Sequence, residues 1–78
     1  MSALKRDRNP MPDAVRRALE DRGLMDAFHA RPDYQQNDWL GWIARAKKPE
    51  TRARRLDSML SELAQGHGYM GMAWHPRD

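Results

Sequence analysis

Apolar residues recur at helical spacing along most of this chain. Val15, Ala18 and Leu19 stand at i, i+3 and i+4 and predict a helix from about Pro12 to Arg22. A proline fits its first position, where the missing N–H would have no partner anyway. Asp13 in the first turn suits the helix dipole. Gly23 is the expected stop, since glycine accepts left-handed geometry after a helix. Leu24 and Phe28 then share a face of a short helix over 24–30, which Pro32 ends, with Arg31 held out of helical geometry by that proline. The next helix is expected from Asp33 to about Lys47. Its apolar positions are Trp39, Trp42, Ile43 and Ala46, with Leu40 beside them. Gly41 inside it costs about 1 kcal/mol against alanine, which predicts the close approach of another helix. A break at Lys47–Glu50 precedes the last helix, from Pro49 or Glu50 to about Gln65, capped by Gly66. Ala53, Leu56, Met59, Leu60 and Leu63 give it the cleanest apolar stripe in the chain.

The ends carry no helical period. Residues 1–9 are polar and charged and read as a flexible tail. In 67–78, Met70, Met72 and Trp74 alternate, as in an extended segment, so this part reads as an extended or flexible tail. The pattern therefore predicts an all-α helical domain over 10–66: a small bundle of three main helices plus one short one. The helices from Asp33 and Pro49 should pair antiparallel. The Pro12 helix should cover their stripe of Trp39, Ile43, Leu56 and Leu60. Composition agrees. Val15, Ile43 and Thr51 are the only β-branched residues, which argues against a sheet. The chain has 78 residues and no cysteine, so disulfides and thiolate metal sites are excluded. A domain this short buries only about 60% of its unfolded surface, which leaves helix packing and self-association as sources of stability.

Charge adds a candidate surface. The formal net charge is only +3. Between residues 45 and 55, however, Arg45, Lys47, Lys48, Arg52, Arg54 and Arg55 face Glu50 alone, a local charge of +5. Arg45, Lys47, Lys48, Arg52 and Arg55 are the candidate anion- or partner-binding residues, with Lys48, Arg52 and Arg55 grouped at the start of the last helix. Backbone N–H groups at such a start also attract anions. An acidic protein, a phosphate or another anionic ligand is the expected partner class. The same cluster also fits a solvated rim whose aliphatic stems cover the apolar stripe. No nucleic-acid reading motif accompanies the charge, so weak nucleic-acid binding is one alternative, and a purely structural or homodimeric domain is another.

The remaining chemistry is sparse. Trp39 and Trp42 are three apart and read as core. Trp74 is a candidate tail contact: it either docks on the helices or meets a partner, a second copy included. His29, His67 and His75 lack metal-ligand spacing. A soft copper site of His67, Met70, Met72 and His75 is conceivable, but no metal or cofactor is expected. Ser2, Ser58 and Ser61 lie in no nucleophile turn. Asp33 and Asp38 lack an acid–base partner, and no glycine-rich phosphate loop exists. A non-enzymatic protein is expected. No membrane span or secretory signal is visible, which makes a cytoplasmic location the expectation.

The run Trp42-Ile43-Ala44-Arg45-Ala46-Lys47-Lys48-Pro49-Glu50-Thr51-Arg52-Ala53-Arg54-Arg55-Leu56 resembles the C-terminal helical part of the YdeI/OmpD-associated, or bacteriocin-protection, family. Its marker is Lys-Pro-Glu-Thr-Arg-x-Arg-Arg. Pro12 to Phe28 is similar too, in the Ala18-Leu19 … Gly23-Leu24 spacing. The resemblance spans roughly residues 10–66. It implies a link to an outer-membrane porin and to protection against antimicrobial peptides, hence to the envelope; it does not imply a catalytic site. A basic surface repels cationic peptides, which argues against their direct capture.

Overall fold

A computed structural model describes residues 8–75. The elements are α1 (Asp13–Asp21), α2 (Met25–Ala30), α3 (Asp33–Ala44) and α4 (Pro49–Gln65), so the domain is a small all-α fold. Among the described residues the only β pairing is an isolated bridge between Tyr69 and Met72. No helix among the described residues is long and apolar enough to cross a membrane.

Local chemistry sets the helix ends. At the end of α1, Leu24 N–H donates to the Leu19 carbonyl at 2.8 Å and Gly23 N–H to that of Glu20 at 3.1 Å. Gly23 has φ +67. This is a Schellman closure, which satisfies helix-end carbonyls through a left-handed residue. Gly66 closes α4 with φ 82. Pro32 and Pro49 hold the residues before them extended: Arg31 has ψ 153 and Lys48 ψ 140. α3 stops at Ala44, three residues short of the expected Lys47. The buried Ala46 takes a tight turn, its N–H donating to the Ile43 carbonyl at 3.2 Å.

The core is one cluster drawn from all four helices: Val15, Leu19, Phe28, Trp39, Leu40, Ile43, Met59, Leu60 and Leu63. α3 and α4 make the most extensive helix contact. α1 packs chiefly on α2, because the short Gly23 connection keeps the two adjacent. It therefore closes the α3–α4 stripe only in part, and Leu56 stays half-buried.

Both flanking segments lie against the bundle where they are described. Asn9 N–H donates to the Asn37 Oδ1 at 2.7 Å, and its Nδ2 to the Asn37 carbonyl at 3.1 Å. A Cβ on Gly41 would come within 2.7 Å of Asn9 Nδ2. The glycine in α3 thus makes room for the incoming N-terminal strap, not for another helix. At the other end, Tyr69 and Met72 exchange backbone bonds of 2.8 and 2.9 Å. Met70 (φ 53) and Gly71 (φ 79) form the turn between them, the mirror-image geometry suited to a tight hairpin. The tails expected over 1–9 and 67–78 extend beyond the described residues at both ends.

Candidate functional site

The cations singled out in the sequence gather where α3 hands over to α4. Arg45 is the C-cap of α3 and Lys48 the N-cap of α4. Arg45, Lys47, Lys48, Arg52 and Arg54 are exposed, and Arg55 is half-buried. The first backbone bond at the α4 end runs from Arg52 N–H to the Lys48 carbonyl at 3.0 Å. The amides ahead of it point out of the helix start.

These residues divide by what their side chains do. Arg52 Nη2 donates to the Ala46 carbonyl at 3.0 Å. Arg55 Nη1 donates to the Trp42 carbonyl at 2.6 Å, and its guanidinium lies 5.1 Å from the Trp42 ring centroid. Both arginines therefore satisfy carbonyls at and just beyond the end of α3 and tie α4 to it. Lys47 and Lys48 have no such task. The salt bridges among the described residues are Arg8–Asp33, at 3.6 Å, and Arg16–Asp13, both outside this junction. Among the described residues no salt bridge ties a carboxylate to this basic surface.

Grooves border the junction on either side of α4. One, of about 510 Å³, runs between α1 and the α3–α4 junction over Val15, Ile43 and Leu56, with Arg52 in its lining. Another, of about 760 Å³, follows the opposite side of α4 past Trp42, Arg54, Asp57, Ser58 and Met70. Trp42 is only half-buried and reaches this groove, whereas Trp39 is fully buried. The two tryptophans share a helix but not an environment, because Tyr69 and Phe28 close over Trp39 at 5.3 and 6.4 Å.

The most heavily used cation is one that sequence reasoning passed over. Arg31 is 5% exposed. Its guanidinium lies 5.0 Å from the Trp39 centroid and 4.2 Å from that of Trp74. It donates to Gln35 Oε1 at 3.0 Å, the Gly68 carbonyl at 2.8 Å and the Glu62 carbonyl at 3.2 Å. Burial pushes its pKa below the ordinary arginine value, and the nearby Glu62 carboxylate opposes that. Trp74 therefore sits against the helices, stacked on Arg31. No local pattern marks this: the acceptor at Gly68 is 37 residues away.

The carboxylates are likewise engaged. Glu62 accepts from Met70 N–H at 3.1 Å and Gly71 N–H at 2.8 Å, which anchors the turn. Asp38 accepts from the Tyr69 hydroxyl at 2.6 Å. His67 and His75 face each other with ring centroids 5.8 Å apart. Among the described residues no three His, Cys, Asp or Glu groups come together as a metal site.

The family model described as "Bacteriocin-protection, YdeI or OmpD-Associated" matches residues 10–66, the span that holds all four helices and the basic junction. No curated protein and no solved structure matches the chain.

Proposed function

The chain belongs to the YdeI/OmpD-associated, bacteriocin-protection family, and we propose that it acts as a non-enzymatic interaction module whose basic α3–α4 junction binds an acidic or phosphorylated partner. One observation carries this reading. Arg45, Lys47, Lys48 and Arg52 are exposed around an uncapped helix start, and the ion pairs among the described residues lie elsewhere. A surface with a local excess of positive charge, six cations against Glu50 over residues 45–55, attracts an oppositely charged partner and speeds its arrival. Arg52 and Arg55 keep the junction rigid, and the lysines present the charge.

The division of labour decides the test. Replacing Arg52 or Arg55 would remove bonds that hold α3 to α4, so a loss of binding there would be ambiguous. Lys47→Glu/Lys48→Glu leaves those bonds in place. Affinity capture with this variant is expected to recover less acidic partner than the unaltered chain, at an unchanged melting temperature. Equal capture would overturn the reading. Weak nucleic-acid binding is a second reading, favoured by the half-buried Trp42 indole beside Arg54. It requires an affinity that falls steeply with salt, and no binding of DNA or RNA at about 50 mM salt would eliminate it.

A further inference from the structure

We propose that the groove between α1 and the α3–α4 junction is a docking site for an acidic amphipathic helix of a partner protein. The inference rests on the basic-surface reading above and names the kind of segment that surface takes.

The groove has an apolar floor and small walls. Val15 and Ile43 are buried beneath it and Leu56 is half-buried. Ala14 and Ala53, both exposed, stand on the α1 and α4 sides. Its volume of about 510 Å³ is left where α1, packed chiefly on α2, closes the α3–α4 stripe only in part. Alanine walls let a helix backbone approach closely. The apolar floor then receives side chains at i, i+3, i+4 and i+7, the usual anchors of a helix in a groove.

Charge selects the occupant. Arg52 is the charged residue of the lining, and Lys47, Lys48 and Arg45 are exposed at the same junction. A helix seated on Val15 and Leu56 turns its polar flank toward these cations, so carboxylates on that flank complete the contact. An apolar centre with a polar, charge-matched rim is the common anatomy of a protein interface. The same charge disfavours the other occupants. Residues 1–7 carry Lys5 and Arg6 against one Asp7. A two-fold contact with a second copy would set the same cations against each other.

The test uses the full chain and three synthetic peptides of about four helical turns. The first has Leu at i, i+3, i+4 and i+7 with Glu elsewhere. The second replaces those Glu with Lys, and the third is oligoglutamate of equal charge. Binding is followed by amide NMR, on the unaltered chain and on Ala53→Gln, which places a neutral bulky side chain in the groove with little loss of helix propensity. The Leu/Glu peptide is expected to bind at least about tenfold more tightly than the other two, with shifts at Val15, Ile43, Ala53 and Leu56. Ala53→Gln should weaken it by about tenfold and leave oligoglutamate binding as it was. Equal binding of oligoglutamate would overturn the groove proposal while the basic-surface reading stands. Binding of neither acidic peptide would overturn both. Equal binding of the Leu/Lys peptide would overturn the choice of an acidic partner. A dimer in sedimentation that Ala53→Gln dissociates, or shifts at residues 1–7 in that variant without peptide, would assign the groove to another occupant and overturn the proposal.

Discussion

At the scale of single residues, Arg31 is the side chain on which most contacts converge. Its guanidinium lies beside two indole rings and donates to three acceptors. Desolvating a cation costs several kcal/mol. Here hydrogen bonds to the charged group, at about 1.5–3 kcal/mol each, and stacking on tryptophan, at about 0.5–2 kcal/mol, offset it. Arg31→Ala takes the arginine donor from the Gly68 carbonyl and leaves the Glu62 carbonyl with the Gly66 N–H alone. It should destabilise the fold by about 2–4 kcal/mol, a drop of roughly 10–20 °C in melting temperature. Arg31→Lys should recover little, because an ammonium cannot stack flat and reach three acceptors in one plane. Thermal denaturation followed by circular dichroism checks both variants. Full recovery by lysine would reduce Arg31 to a simple charge. In the sequence, Arg31 is visible only as the residue before Pro32, which predicts its extended backbone and nothing of its burial.

Elements here are joined by polar bonds as much as by apolar packing. Arg52 and Arg55 link α4 to the end of α3. Glu62 holds the C-terminal turn. The N-terminal strap rests on α3 through Asn9 and Asn37. Gly41 tests that last contact. Alanine there gains about 1 kcal/mol of helix propensity, but its Cβ would come within 2.7 Å of Asn9 Nδ2 and must displace the Asn9 side chain from its bonds to Asn37. Gly41→Ala should therefore be neutral or destabilising by about 1 kcal/mol in the unaltered chain. In an Asn9→Ala background the same change should stabilise by up to about 1 kcal/mol. A double-mutant cycle in urea measures the difference, and an identical effect in both backgrounds would show that the strap does not dictate the glycine. Sequence spacing exposed Gly41 as anomalous within its helix. It could not say what approached it, because the strap has no periodicity to register.

For the whole molecule, one apolar cluster spans all four helices, so no helix has a core of its own. Unfolding should be a single cooperative transition, with far-ultraviolet circular dichroism and tryptophan fluorescence changing together. The three indoles make the fluorescence a report on the centre of the fold, because Trp39 is in the core and Trp74 touches Arg31. Separate transitions would mean that α1, which packs chiefly on α2, melts on its own. The same uneven packing of α1 leaves the apolar groove open beside the basic junction. An interaction surface of this kind thus arises from how one helix is tethered as well as from which residues it carries.

The four helices, their stops at Gly23, Pro32 and Gly66, the start at Pro49, and the Met59, Leu60 and Leu63 part of the α4 stripe are all legible in the residue pattern. These features depend on neighbours within one or two turns, where periodicity, φ restriction and capping act. Which cations hold the fold and which face solvent depends on tertiary packing. Arg31, Arg52 and Arg55 find acceptors 37, 6 and 13 residues away, whereas Lys47 and Lys48 remain outward. The same packing also separates Trp39 from Trp42, since enclosure of an indole depends on Tyr69 and Phe28 arriving from other parts of the chain. A charge run is local and can be read directly. The use made of each charge is set by contacts that exist only once the chain is folded.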